Sequence, residues 1–365
     1  MDVNASFKDP QLCHALLERL QRALEGQSPL RFMEVCGTHT VAIFQSGLRD
    51  VLPPEVTHLS GPGCPVCVTH DAEVATFVDL AGRDGVIVAT FGDLMRVPGP
   101  DGHSLKHAQA AGARVEIVYS PLDILTLATQ NPHDTVVFLG VGFETTAPTV
   151  AATVLMAREQ GIKNACVLSF HKLVPPALRA LLSDAACAVD AFLLPGHVST
   201  ILGLEPYAFL ASEFATPSVV AGFEPVDILS ALCLLAEQKR AGRAEVVNAY
   251  PRAVHEHGNP KARAVLDEVF TTSDALWRGI GAIPQSGLVF KPAFAHWDAM
   301  QRLALSLPEV KPLRGCKCGD VLKGKLTPPE CPLFNTTCTP AKPVGPCMVS
   351  TEGSCAAYAK YHWEA

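Results

Sequence analysis

The chain has 365 residues, with 29 basic and 36 acidic side chains and a formal net charge of −7. Hydrophobic residues at 48% and charged ones at 18% describe a well-packed globular protein of two or three domains rather than a disordered chain. The mild negative charge, the 7% aromatic content and the lack of a basic run argue against a nucleic-acid binder.

Residues 10–25 have helical apolar spacing, and Gly26 stops the pattern. Eight strand-like runs follow: RFMEV, VTHLS, GVIVATF, RVEIVYS, TVVFLGV, ACVLSF, AFLLPG and PSVVAGF. Helical patterns such as AEVATFVDLAG, TVAATVLMARE and VDILSALCLLAEQK separate them. Strands alternating with helices imply βαβ units and parallel sheets.

The alternation contains a repeat. CGTHT (36–40) falls opposite GFETT (142–146), and LSGPGCPV (from Leu59) opposite LSFHKLVPP (from Leu168). TFGDLMRVPG (from Thr90) matches LPGHVSTILG (from Leu194), and SPLDIL (120–125) matches EPVDIL (224–229). Four loops in one order at nearly constant offset predict a duplicated α/β domain. Ligands of open α/β sheets bind outside the carboxyl ends of the strands, so the two sets of loops are expected to meet across one cleft.

Beyond about residue 236 the pattern turns helical or irregular, and past Pro312 it is rich in Pro, Gly and Cys. The expected fold class is therefore α/β, with two similar parallel-sheet domains and a C-terminal helical or irregular metal domain. The boundaries are 1–27 for the N-terminal helix, 28–130 and 131–236 for the α/β domains, and 237–365 for the last.

Thirteen cysteines are the unusual feature. The N-terminus lacks a basic stretch followed by an apolar one, and no run is long enough to span a membrane. A cytoplasmic protein is expected, and so many thiols there point to metal or redox chemistry rather than a disulfide scaffold. Cys13, Cys166, Cys187 and Cys233 sit singly in apolar surroundings and read as buried small hydrophobes.

In MEVCGTHT, Cys36 stands where an apolar strand meets a glycine turn. Thr38 and Thr40 are expected to cap the next helix, whose positive end should draw the thiol toward thiolate, with His39 as a hydrogen-bond partner or proton carrier. The bland alternative is a tight turn with an incidental cysteine. In GPGCPVC, Cys64 and Cys67 have the C-x-x-C spacing of a redox dithiol; the rival, half a zinc site, lacks a second pair nearby. GFETTAPT lacks the third glycine of a dinucleotide turn and the lysine of a P-loop. Glu144, Thr145 and Thr146 there could cap a helix and nothing more. His171, Lys172 and His197 occupy matching strand ends and are expected to converge on the same face as a site.

The tail cysteines Cys316, Cys318, Cys331, Cys338, Cys347 and Cys355 follow C-x1-C-x12-C-x6-C-x8-C-x7-C. Paired zinc knuckles are absent, and thiolates delivered from separate loops suit an iron–sulfur cluster, which takes four of the six. The segment buries little apolar surface, so a metal would supply its stability.

With MEVCGTHT, GPGCPVC, GFETTAPT, SFHKLVPPAL, PGHVSTILG, GFEP and the CPLF…CTP…GPCMVSTEGSCAAY tail in hand, the chain resembles the HypD family of hydrogenase maturation factors over essentially its whole length. The resemblance implies two similar α/β domains and a C-terminal [4Fe–4S] domain. It implies a scaffold that pairs with a HypC-type small chaperone and holds an iron while it gains two cyanides and one carbon monoxide. A HypE-type partner supplies the cyanide, and the transient Fe(CN)2CO iron passes to the large subunit of [NiFe]-hydrogenase. Neither nucleic acid nor membrane is an expected partner. The iron-ligand role falls on Cys36 and the redox-dithiol role on Cys64 and Cys67.

On the chemistry, a soft thiolate suits low-spin iron. Thr38, Thr40 and His39 could orient bound cyanides at roughly 1 kcal/mol each. Glu144, Thr145, Thr146, His171 and His197 are the further candidates for holding the cofactor. Electrons are expected to run from the tail cluster through Cys64 and Cys67 to the iron at Cys36. Two other readings compete: a stand-alone iron–sulfur dithiol/disulfide reductase acting on a partner protein, and a zinc-stabilised binding module.

Overall fold

The computed structural model describes residues 5–311 and 313–361, so the outermost parts of 1–27 and 237–365, and Pro312, fall outside the described residues. All eight strand-like runs are strands: β1 (Leu30–Glu34), β2 (Val56–Ser60), β3 (Val86–Thr90), β4 (Val115–Ile117), β5 (Thr135–Gly140), β6 (Ala165–Ser169), β7 (Ala191–Pro195) and β8 (Ser218–Ala221). They form two parallel sheets, β2-β1-β7-β8 and β4-β3-β5-β6, and β9 (Val246–Asn248) extends the first at the β8 edge. The N-terminal helix, Pro10–Leu24, is capped by the Asp9 carboxylate and closed by Gly26 at a φ of +73°.

The strands read as apolar runs because both faces of each sheet are covered. Along β5, Val137 and Leu139 enter a central core while Val136 and Phe138 enter an outer one. On β7, Phe192 and Leu194 face that same central core, and Ala191 and Leu193 face the helix Pro225–Arg240 and the N-terminal helix. The central core thus lies between the two sheets. Cys166 belongs to it and Cys233 to the core on the outer face of the first sheet, as small hydrophobes. Cys13 and Cys187 are half-exposed instead.

The domain limits 28–130 and 131–236 do not match the sheets. Each sheet takes the first two strands of one repeat and the last two of the other: β2-β1 joins β7-β8, and β6-β5 joins β3-β4. The physical reason lies in the crossovers. The helix Asp71–Ala81 carries the chain from β2 to the second sheet, and Val174–Leu182 carries it from β6 back to the first. Two strands per copy cannot cover one another, but exchanged pairs complete two four-stranded layers. Residues 237–365 are also not one unit. Besides β9, they contain the antiparallel hairpin β10 (Phe270–Trp277) and β11 (Gly281–Phe290), which packs on the outer face of the second sheet. Among the described residues no helix is long and apolar enough to cross a membrane.

Candidate functional site

Cys36 follows β1 and is the N-cap of the helix Gly37–Gln45. Its backbone N–H donates to Glu34 Oε2 (2.9 Å), and Thr40 Oγ1 donates to Glu34 Oε1 (2.6 Å). Glu34 is fully buried, with His58 Nε2 3.7 Å from it. This carboxylate braces both ends of the cysteine turn, and its sequence signal is a lone acid inside an apolar strand. The threonines do not cap the helix: Thr40 serves Glu34, and Thr38 Oγ1 donates to Glu352 Oε1 (2.9 Å) in the tail.

The GPGC loop lies directly on this turn. Gly37 N–H donates to Gly63 O (3.0 Å), and a Cβ on Gly63 would fall 2.1 Å from Cys36 N. A Cβ on Gly37 would lie 2.5 Å from Glu352 Cβ, so three loops meet at Cys36 without room for another methyl. The expected drift of the thiol toward thiolate is overturned. Burial pushes Cys36 up to about 12, ahead of the opposing backbone N–H groups of His39 and Thr38, and the Glu352 and Glu34 charges add to the rise.

His39 is buried, and burial pulls its imidazole down to about 4. Its Nε2 lies 2.8 Å from Gly222 O, so a neutral ring donates there and leaves Nδ1 as an unpaired acceptor. Phe223 sits between His39 (4.6 Å between ring centroids) and His197 (4.0 Å). The loops after β1, β7 and β8 therefore bring these two histidines together around Phe223. His171 is not with them. Its Nδ1 lies 2.9 Å from Ser169 Oγ, and its ring faces Phe270. Lys172 is spent in a buried ion pair with Glu73.

Glu144 does not cap the helix that follows it. Its Oε1 accepts from Val174 N–H (2.9 Å) at the start of Val174–Leu182, Oε2 is unpaired, and burial raises the carboxyl to about 7. Thr146 Oγ1 donates to Phe143 O (3.2 Å), and Thr145 is half-buried at the same turn.

A cleft of about 410 Å³ opens beside these loops. Pro65 and Val66, residues 91–94, Val141, Thr146 and residues 350–352 line it. Strand-end loops of both repeats thus share one cleft, as the repeat predicts. Cys64 and Cys67, on either side of the lining residues Pro65 and Val66 in the chain, form a buried disulfide, with Cys67 N–H directed at Cys64 Sγ (3.2 Å).

All six tail cysteines line a second cavity of about 20 Å³, walled otherwise by apolar groups such as Val321, Leu333, Phe334 and Met348. Cys318 and Cys347 are buried with their sulfurs 2.8 Å apart. Among the described residues no group of three or more His, Cys, Asp or Glu side chains stands in a ready metal-binding array. Six soft donors, with no carboxylate or imidazole in the lining, suit a thiophilic metal and not a hard cation. Asp71 and Arg278, a buried pair between the two cysteine sites, escaped the sequence reading because neither belongs to a cysteine motif.

Residues 11–362 match the family profile of HypD, described as the hydrogenase formation hypA family. The hydrogenase maturation factor HypD of Escherichia coli (strain K12) is 44% identical over 361 residues, covering 97% of this chain and 96% of that one. HypD of Rhodobacter capsulatus is 42% identical, covering 99% and 98%. HypD of Azotobacter vinelandii is 42% identical, covering 97% and 95%. The chain belongs to the HypD family and acts in hydrogenase maturation.

Proposed function

We propose that this protein is a scaffold on which the Fe(CN)2CO unit of [NiFe]-hydrogenase is assembled. It binds iron at Cys36 together with a HypC-type small chaperone, takes cyanide from a HypE-type donor, and releases the finished unit toward the hydrogenase large subunit. The observation that carries this reading is the single thiol at the tip of β1, against which the GPGC loop and the tail loop are packed. A soft sulfur there suits low-spin iron. The thiol is protonated at neutral pH, so ligation displaces one proton. The cleft lined by Glu352 and Val66 opens beside the loops packed on Cys36.

The tail donor set fits an iron–sulfur cluster. Four of Cys316, Cys318, Cys331, Cys338, Cys347 and Cys355 would hold a [4Fe–4S] group, which supplies single electrons when bound. Opening the Cys64–Cys67 disulfide takes two electrons and two protons and yields two thiols. Burial of both sulfurs keeps bulk thiols from doing this. Cytoplasmic thiol-reducing conditions suit this chemistry.

Infrared spectroscopy of the complex with the small chaperone tests the reading. Cyanide and carbon monoxide stretching bands are expected in the wild-type complex and are lost in Cys36→Ala. Bands that survive in the variant, or that never form in the wild type, would overturn it. The buried CPVC disulfide favours one second reading, an iron–sulfur dithiol/disulfide reductase acting on a partner protein; such a reductase shows no bands in the same measurement.

A further inference from the structure

Arg278 occupies the tip of the β10–β11 hairpin, and its neighbours join the two cysteine sites. Its backbone N–H donates to Val68 O (2.9 Å), one residue past Cys67, and Thr69 pairs with Trp277. On the other side Gly279, at a φ of +71°, backs onto the residue after Cys318, where a Cβ would lie 2.3 Å from Gly319 Cα. One turn therefore touches both the dithiol segment and the six-cysteine segment.

The Arg278 side chain is 6% exposed, and its NH2 stands 2.5 Å from Asp71 Oδ1, on a side chain 9% exposed. NH1 is buried with no partner. The pair balances one charge with one charge, yet leaves a guanidinium nitrogen unsatisfied. The turn sets this charge against the tail segment, because Gly279 abuts Gly319, the residue after Cys318. No lysine or arginine lines the six-cysteine cavity. Four thiolates around an iron–sulfur core leave net negative charge, which an apolar cavity penalises unless a cation stands close.

We propose that Arg278 is the charge partner of the six-cysteine centre: its guanidinium balances the ligated thiolates and sets the reduction potential of the centre, with Asp71 as the counterweight. This rests on the reading that the tail thiols hold an iron–sulfur cluster. A nearby cation favours the reduced, more negative state, and a nearby anion disfavours it. Arg278 touches no reacting atom and is a positioning and tuning residue.

The test uses the full chain purified without oxygen, with iron and sulfide content and a potentiometric titration as readouts. Wild-type protein is expected to be brown, with about four irons and four sulfides per chain. Arg278→Gln is expected to keep that content and titrate at a more negative midpoint. Arg278→Lys should fall between the two, and Asp71→Asn should move the midpoint the opposite way, to more positive values. If Arg278→Gln loses its iron, Arg278→Lys and Asp71→Asn decide the matter. Wild-type midpoints in all variants, or shifts of one sign for Arg278→Gln and Asp71→Asn, overturn the proposal while leaving the cluster reading standing. A colourless wild-type protein overturns both.

Discussion

Cys36 stands at the end of a five-residue strand, flanked by β2 and β7 in a sheet with apolar cores on both faces. The six tail thiols hang from short helices, Cys318–Leu322 and Ser354–Tyr361, and from turns before and between them. Both regions keep sulfur out of water. The first does so with a prebuilt wall of backbone, and the second with little besides the cysteines themselves and a few apolar side chains. The contrast teaches that a thiol can be placed by the fold or can help to make it. Substitutions should therefore act in opposite ways in the two regions.

The largest effect is expected in the tail. Replacing Cys318, Cys347 and Cys355 together by Ala leaves three thiols where a cluster takes four, so it should drop iron and sulfide to background and make residues 316–361 sensitive to protease, while the far-ultraviolet circular dichroism of the sheets is kept. Retained protection without iron would erase the contrast. Next comes Gly63→Ala. Its new methyl meets the Cys36 backbone at 2.1 Å, where no flexible side chain can yield. A loss of about 4 kcal/mol is expected, read as a fall in melting temperature, with unchanged iron–sulfur content in the tail. A smaller effect concerns pH. His39 is held down to about 4 from an ordinary 6.5, so between those values the unfolded chain binds a proton that the folded one refuses. Stability should fall as pH drops from 6.5 to 4, by roughly 3 kcal/mol in total. His39→Gln should flatten the melting temperature over that window, and an unchanged slope would show that the imidazole is not the cause.

Much of the fold was legible because β3, β5 and β7 are buried on both faces and leave unbroken apolar runs. The hairpin was not. Residues 271–275 are largely polar and outward-facing, and the register slips between Ser273 and Ala275, so no clean alternation is left to read. Cys36, Cys64 and Cys67 announced themselves through glycine and spacing, and the loops around them do meet. The sign of the Cys36 shift was hidden, because a helix N-terminus is visible in a sequence while burial by loops 27 and 316 residues away is not. The capping alternative for Glu144 failed for a similar reason, since its partner Val174 lies at the start of a helix 30 residues on.

The exchanged strands have one more consequence. Met33 on β1 is in register with Phe192 on β7, so the first sheet closes only after most of the first two hundred residues exist. The order β2-β1-β7-β8 beside β6-β5-β3-β4 is the one that two identical half-length chains would make by swapping their ends. Joining the halves in a single chain frees the two related strand tips from being the same. One tip carries Cys36, and the other carries Glu144. An assembly of two equal subunits would have to bear both or neither, whereas here a two-fold frame holds a one-sided workplace.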